Sequence, residues 1–173
     1  ERTGEPFTLP DEAQWEHACR AGNAAPLWYG APDSDFAGVA NLADASLARV
    51  DTFDPWKLPS GAIHPWRPAM ESVNDGHRVS APVGGFAPNP WGLHDMHGNA
   101  AEWTRSLWRA YPWQDDGRND PEADGNRIAR GGSFYDRPQH ARSAARRHYP
   151  PWQKVFDVGF RVACPATPQN ARQ

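Results

Sequence analysis

The stretch of sequence that decides the fold spans sixteen residues and reads Pro88-Asn89-Pro90-Trp91-Gly92-Leu93-His94-Asp95-Met96-His97-Gly98-Asn99-Ala100-Ala101-Glu102-Trp103. Asp95 and Glu102 contribute carboxylates, while Gly98 and Asn99 tolerate unusual backbone angles. A loop that exposes backbone carbonyl groups beside two carboxylates can hold a hard cation such as calcium. On spacing alone, a buried turn fixed by its tryptophan side chains is the more economical interpretation.

Length and charge restrict the classes of function. The chain has 173 residues and a net charge of −3, from 18 basic and 21 acidic residues. The length predicts one domain. The net charge gives no electrostatic reason to expect binding to nucleic acid or to an anionic membrane. No apolar run approaches the roughly 20 residues that span a bilayer. The chain begins with Glu1, so the lack of a targeting signal says little about compartment, and an extracytoplasmic location stays open.

The composition is tryptophan-rich. The chain contains 9 Trp, 18 Pro and 15 Gly, with a mean hydropathy of −0.80. Many aromatic residues among turn formers predict long ordered loops held in place by tryptophan side chains, because disordered chains are poor in aromatics. Irregular segments are therefore expected to form part of the core.

Few regular elements are predicted. Asp11 to Ala21 reads as a helix, because Asp11 and Gln14 are in capping-box positions and Gly22 supplies a stop. Short strands are predicted at residues 104–108, 127–130 and 155–162. Residues 44–78 read as an inserted loop, held down by Trp56 and Trp66.

The two cysteines, Cys19 and Cys164, lie near opposite ends of the chain. They could close one large disulfide loop, but they are too few for a cysteine-rich metal cluster. Two unbridged, buried thiols, behaving as small hydrophobic residues, are favoured.

Four motifs, in order along the chain, resemble those of the formylglycine-generating enzyme family, also called the sulfatase-modifying factor family. Residues 9–16 (LPDEAQWE) resemble its L-P-T-E-A-E-W-E, and residues 92–103 match G-L-x-D-M-x-G-N-x-x-E-W. Residues 130–134 (RGGSF) resemble R-G-G-S-[WF], and residues 159–161 (GFR) resemble the closing G-F-R. Four ordered motifs are far more specific than one.

The resemblance implies an α+β fold related to the C-type lectin fold, with a small antiparallel sheet, few helices and long ordered loops. Residues 1–173 would form a single domain of this type. The portion that family members carry before the first helix is missing from residues 1–10. We therefore expect a further N-terminal segment, or a second chain, to complete the domain.

The resemblance also implies structural calcium. One predicted site consists of Asp95, the carbonyl groups of Gly98 and Ala100, and Glu102. A second consists of Asn41, the carbonyl of Leu42, Asp75 and the carbonyl of His77. Both sets offer only oxygen donors, which suits calcium better than zinc.

Family enzymes oxidise a substrate cysteine to formylglycine through a copper-binding cysteine pair that follows the R-G-G-S motif. Residues 134–143 contain no cysteine. Copper binding is therefore not expected, and we predict that this protein does not generate formylglycine. The related sulfoxide synthases hold non-haem iron through three histidines, mostly from a separate domain that these residues do not include.

Two functions remain open. The favoured one is a divergent, noncatalytic domain, stabilised by calcium, that binds a peptide, protein or sugar. The alternative is a metal-dependent oxidoreductase, with non-haem iron or copper, completed by a further segment or chain. A candidate ligand pocket equivalent to the family's catalytic region has five members: Ser133, Tyr135, Asp136, Arg137 and Trp152.

Overall fold

The computed structural model describes residues 6–48 and 69–164. Two helices, four strands and one 3-10 helix are separated by long loops. Their bounds are α1 Glu12–Arg20, α2 Ala45–Ala48, β1 Ala101–Leu107, β2 Arg127–Arg130, the 3-10 helix Pro138–His140, β3 Arg147–Tyr149 and β4 Val158–Phe160. Among the residues described, no helix is long and apolar enough to cross a membrane. The predicted α+β class with few helices is confirmed.

The four strands form one sheet in the order β3-β2-β1-β4. β1 is antiparallel to β2, with Glu102 opposite Arg130, and β2 is antiparallel to β3. β4 runs parallel to β1, with Glu102 opposite Gly159. The sheet is therefore mixed rather than purely antiparallel, because the chain crosses from β3 to the far side of β1 before forming its last strand.

Helix α1 forms as its sequence predicts. The Asp11 carboxylate accepts a hydrogen bond from the Gln14 backbone, and the Gln14 side chain accepts one from the Asp11 N–H. The helix ends at Arg20, because Ala21 and Gly22 adopt left-handed angles (φ 45° and 82°).

A salt bridge fixes α1 against the rest of the fold. Glu12 is only 1% exposed, and Arg146 binds both of its carboxylate oxygens at 2.7 and 2.9 Å. Such bidentate geometry fixes orientation as well as adding energy.

Loop residues make much of the core. One cluster packs Trp15 and Cys19 of α1 against Met96. The other comes largely from irregular segments and consists of Leu27, Phe36, Ala40, Leu42, Val73 and Ala141. Each large apolar side chain contributes about 1.5–3 kcal/mol when fully buried, so the loops around residues 27–42 are structural parts of the domain.

Several predicted boundaries differ from those observed. β1 begins at Ala101 rather than Thr104, β4 covers only three of the eight residues predicted at 155–162, and β3 was not predicted. The strand at 127–130 is confirmed. The predicted insertion contains α2, whereas Trp56 and Trp66 lie outside the described residues.

Candidate metal and ligand sites

The central turn, defined as residues 95–102, runs from a loop into β1. Asp95 is 9% exposed and left-handed (φ 57°), and its Oδ2 accepts a hydrogen bond from the Gly84 N–H at 2.7 Å. Its Oδ1 is buried and has no hydrogen-bond partner. Gly98 (φ 77°) and Asn99 (φ 61°) then reverse the chain. The turn therefore presents a carboxylate oxygen that protein donors leave unbound.

The other carboxylate of this turn is neutralised within the protein. Glu102 accepts the Trp15 indole N–H at 2.7 Å and two N–H groups of Arg161, at 2.5 and 2.7 Å. Burial alone would lower the pKa of Arg161, but hydrogen bonding and the charge of Glu102 raise it above its ordinary value. Glu102 Oε1 holds only one of these bonds, so it keeps capacity as an acceptor.

The second predicted set also comes together, from segments more than thirty residues apart. The Asn41 side chain is 1% exposed and donates to the Val79 carbonyl at 2.9 Å, while its Oδ1 is buried without a partner. Asp75 accepts the Leu42 N–H at 3.0 Å and the His77 N–H at 2.8 Å.

Sequence reasoning missed Asp44, which joins this second set. Asp44 is fully buried, and its Oδ2 accepts the Asp75 N–H at 2.5 Å. Its Oδ1 accepts the backbone N–H groups of Ser46 and Leu47 and the Ser46 hydroxyl. The only available signal was its position three residues after Asn41. We call Asn41, Leu42, Asp44, Asp75 and His77 the double-carboxylate cluster.

The electrostatics of this cluster differ from those of the central turn. Burial, and to a smaller extent the nearby charge of Asp44, raise the pKa of Asp75 to about 6, although the backbone hydrogen bonds from His77 and Leu42 act in the opposite direction. Within residues 6–48 and 69–164, no lysine or arginine forms an ion pair with either carboxylate. Among the described residues, their hydrogen bonds come from backbone N–H groups and one hydroxyl.

The two predicted sites share a wall. Asn41 and Gly98 form a parallel bridge, and the Asn99 N–H donates to the Asn41 carbonyl at 2.8 Å. The Asn99 side chain accepts from the Asn41 amide at 3.2 Å and from the Ala81 N–H at 2.7 Å. A Cβ on Gly98 would lie 2.0 Å from the Asn41 carbonyl oxygen, so only glycine fits this crossing.

The donor chemistry fits a hard cation. Each predicted site contains one buried oxygen without a partner, Asp95 Oδ1 in the first and Asn41 Oδ1 in the second. Calcium accepts carboxylate, amide and backbone carbonyl oxygens together. Within the described part of the chain, no group of three His, Cys, Asp or Glu side chains is placed to hold a metal ion, so either site would depend on backbone and amide oxygens as well. Calcium at these residues stays a prediction.

The candidate ligand pocket centres on a closed polar network. Ser133 is fully buried, and its hydroxyl lies 3.0 Å from Asp136 Oδ2 and 2.8 Å from Asp157 Oδ2. Arg147 forms an ion pair with Asp136 and lies 3.8 Å from Asp157. Burial opposes the charge on Arg147, but these two carboxylates raise its pKa. The Ser133 hydroxyl is therefore held between two carboxylates.

The remaining pocket candidates lie at different depths. The Tyr135 N–H donates to the Ser133 hydroxyl at 3.2 Å, and the Tyr135 ring contacts Phe156. Arg137 is half-buried, with a buried Nε that has no partner. Trp152 is 81% exposed, and in the described part of the chain no hydrogen bond or ring contact joins it to Ser133.

No disulfide bond joins Cys19 and Cys164. Cys19 is buried as expected, but Cys164 is exposed, so the expectation of a second buried thiol is wrong: Cys164 lies beyond the last strand of the sheet. Burial raises the pKa of the Cys19 thiol to about 12. Its sulfur lies 3.5 Å from Nε2 of His97, whose pKa burial lowers to about 4. His97 accepts the Trp28 N–H at 3.0 Å and donates to the Ala141 carbonyl at 2.7 Å, so it is a neutral structural residue.

The domain combines a small mixed sheet with few helices, long buried loops and an oxygen-rich turn. This combination agrees with the class of domain that the sequence motifs indicated. A family model described as sulfatase-modifying factor enzyme 1-like domain matches residues 2–166. The chain belongs to this family.

The relatives that match the chain include proteins named formylglycine-generating enzyme and proteins named as inactive forms of it. Formylglycine-generating enzyme of Bos taurus is 30% identical over 173 residues, covering 92% of this chain and 39% of the relative. Inactive C-alpha-formylglycine-generating enzyme 2 of Mus musculus is 25% identical over 169 residues, covering 91% and 43%. The chain thus spans about two fifths of the length of these relatives.

Among solved structures, PvdO from Pseudomonas aeruginosa matches with a TM-score of 0.63 and 26% identity, covering 95% of this chain and 55% of that one. Treponema denticola variable protein 1 matches with a TM-score of 0.65 and 24% identity, covering 92% and 48%. The second similarity supports the fold alone.

Proposed function

We propose that this domain does not generate formylglycine and acts as a noncatalytic, calcium-stabilised member of its family that binds a ligand or partner. One observation carries the proposal. Where the family resemblance places a copper-binding cysteine pair, residues 134–143 contain no thiol. The adjoining Ser133 is buried in a network with Asp136, Asp157 and Arg147.

The two cysteines of the chain do not offer a replacement pair. Copper(I) is held by thiolates, whereas the pKa of about 12 keeps Cys19 a thiol at neutral pH. Cys19 is also fully buried between α1 and the central turn, while Cys164 is exposed beyond β4. The match to an inactive relative of Mus musculus is consistent with a domain of this family that has lost catalysis.

Calcium supports the fold in this proposal rather than any reaction. Asp95, Glu102 and the carbonyls of Gly98 and Ala100 would hold one ion. Asn41, Asp75 and the carbonyls of Leu42 and His77 would hold the other. A bound cation would satisfy the two partnerless oxygens, Asp95 Oδ1 and Asn41 Oδ1, whose burial is otherwise costly.

Exposed aromatic residues support the ligand-binding part of the proposal. Trp152 is 81% exposed and Tyr111 is 52% exposed, and Arg146 lies between the rings of Tyr111 and Trp108, 4.4 and 4.6 Å from their centroids. Aromatic side chains with a polar neighbour are frequent contacts for peptides, proteins and sugars.

Incubation of the purified protein with copper(I), oxygen and a cysteine-containing peptide tests the absence of catalysis. We expect the peptide mass to stay unchanged, while an active formylglycine-generating enzyme run in parallel converts the thiol to an aldehyde. Conversion by this protein would overturn the proposal and favour the oxidoreductase alternative. Stoichiometric iron or copper in the purified protein would have the same consequence.

A further inference from the structure

The sheet has one face covered by α1 and one face that is partly open. Glu102 and Arg130 point toward α1, where they bind Trp15 and Glu16. Trp103 is adjacent to them in β1 and therefore projects to the opposite face. Phe160 of β4 is the register partner of Trp103 and is 69% exposed. Two aromatic side chains thus lie side by side on the open face.

A cleft of about 580 Å³ opens over this face. Such a volume lies within the range of sites that bind small ligands or peptide side chains. Trp103 is held in place by an edge-to-face contact with Tyr149, at 5.8 Å between ring centroids. The apolar part of the cleft lining consists of Leu9, Trp103, Pro121, Ala123, Pro151 and Phe160.

One wall of the cleft is a loop that Arg127 holds in shape. The Nη1 atom of Arg127 donates to the carbonyl groups of Arg105 at 2.6 Å and Asp120 at 3.0 Å. Its Nη2 donates to those of Pro121 at 3.0 Å and Ala123 at 2.7 Å. The guanidinium of Arg127 is therefore engaged with the protein backbone and has little capacity left for an anionic ligand.

The same wall carries carboxylates without partners. Glu122 and Asp124 line the cleft, and both are exposed. Neither carboxylate forms an ion pair or hydrogen bond with any residue in the described ranges 6–48 and 69–164. Arg105, the other basic residue of the lining, is paired with Asp11 at 3.3 Å. Arg127 keeps its positive charge, because its hydrogen bonds go to neutral carbonyl groups. Among the described residues that line the cleft, the two carboxylates without a partner outweigh this single charge, so the remaining charge is negative.

We propose that this cleft binds a cationic side chain, lysine or arginine, of a peptide partner. The methylene stem would pack on Trp103 and Phe160, the charged end would lie over their ring faces, and Glu122 and Asp124 would neutralise it. Aromatic faces and carboxylates both attract cations, so the two features of the cleft select the same ligand. The inference rests on the proposed function, because it names the ligand of a binding domain.

Titration with a capped trilysine peptide at low salt, followed by calorimetry, tests this assignment. The same peptide with all three amines acetylated is the ligand control. We expect the unmodified peptide to bind and the acetylated one to bind at least about tenfold more weakly. No binding of trilysine, or equal binding of both peptides, would overturn the proposal.

Matched charge variants separate the cleft from general electrostatics. The double variant Glu122→Gln, Asp124→Asn should weaken trilysine binding about tenfold. The double variant Asp33→Asn, Glu71→Gln removes the same charge from exposed residues that do not line the cleft, and it should change affinity by less than about twofold. Equal losses in the two variants would contradict the site.

Phe160→Ala supplies a test of the aromatic floor without removing charge. Phe160 is 69% exposed, so the variant should keep its melting temperature while binding trilysine several-fold more weakly. These titrations are independent of the copper and oxygen assay. Loss of the cleft proposal would leave the noncatalytic assignment standing, and conversion of the cysteine peptide would overturn the latter without altering the titration.

Discussion

The central turn and the double-carboxylate cluster share the wall between Asn41 and Gly98 but balance their charges differently. In the central turn, Glu102 is neutralised by Arg161 and bonded to Trp15. In the cluster, Asp44 and Asp75 rely on N–H groups and one hydroxyl. In the central turn an arginine offsets one of the two carboxylate charges, whereas in the cluster a buried and a half-buried carboxylate repel each other without such a partner in the described part of the chain. The cluster should therefore gain most from an added cation. We therefore expect calcium to matter more for the cluster.

The largest effect should come from the shared wall. Gly98→Ala places a Cβ 2.0 Å from the Asn41 carbonyl oxygen at a left-handed residue, so the two segments must separate. We expect a loss of roughly 4 kcal/mol or more in the free energy of unfolding, or failure to fold. Gly92→Ala is the matched control, since Gly92 has a similar φ of 78° but open space around its Cβ. It should lose only about 1–2 kcal/mol. Equal losses would mean that backbone strain, and not the crossing, dominates.

Removing the charge of Glu102 should give the next largest effect. Glu102→Gln leaves Arg161 without its carboxylate, and a broken buried pair costs several kcal/mol. Because the Arg161 side chain is 26% exposed, we expect about 2–4 kcal/mol by chemical denaturation. Most of this cost should persist in chelator, because the ion pair with Arg161 does not need the metal.

Glu122→Gln is the control for Glu102→Gln. It removes an exposed carboxylate and should change the free energy of unfolding by less than about 0.5 kcal/mol. If the cost of Glu102→Gln disappeared in chelator, Glu102 would act mainly through the metal, and the contrast between the two regions would fail.

Asp75→Asn should behave oppositely in the two media. In chelator it removes one of two adjacent carboxylates, so the melting temperature should stay level or rise. In calcium the wild type should gain about 2.7 kcal/mol at a concentration one hundred times the dissociation constant, and the variant should gain much less. Asp33→Asn, at an exposed carboxylate, should follow the wild type in both media. If calcium left the melting temperature of the wild type unchanged, that result would contradict the predicted sites.

The smallest effect concerns Cys19, which packs against Met96 of the central turn. Its burial and its pKa of about 12 predict that a thiol reagent at pH 8 modifies exposed Cys164 first and leaves Cys19 protected until unfolding. If the central turn is stable by itself, chelator should leave this protection unchanged. Rapid labelling of Cys19 in chelator would show instead that both regions depend on calcium. Cys19→Ala identifies which thiol each labelling phase reports.

Much of the fold could be predicted because its signals are local. The capping box of α1 lies within four residues, and the family motifs specify the turns. The direction of β4 could not be predicted, since strand pairing depends on how the chain crosses the sheet. β1 was predicted to begin late because Ala101 and Glu102 were assigned to the loop of the central motif, although both are buried at the start of the strand.

The candidate sites divide in the same way. Residues carried over by motif, such as Asp95 and Asn41, were accessible to sequence reasoning. Asp44 was not, because it meets Asp75 across 31 residues, and neither was the pairing of Glu102 with Arg161 across 59 residues. Distant charge pairing is a property of the folded chain, so charge balance had to come from the structure.

The hydrogen bonds between Arg127 and the wall of the cleft have an evolutionary consequence. Its four acceptors are backbone carbonyl groups, which every residue type possesses. Substitutions at exposed Glu122 can therefore change the chemistry of the wall without removing the bonds that shape it. Related domains could retain one scaffold and diversify what they recognise through a few codons, so long as the arginine is kept.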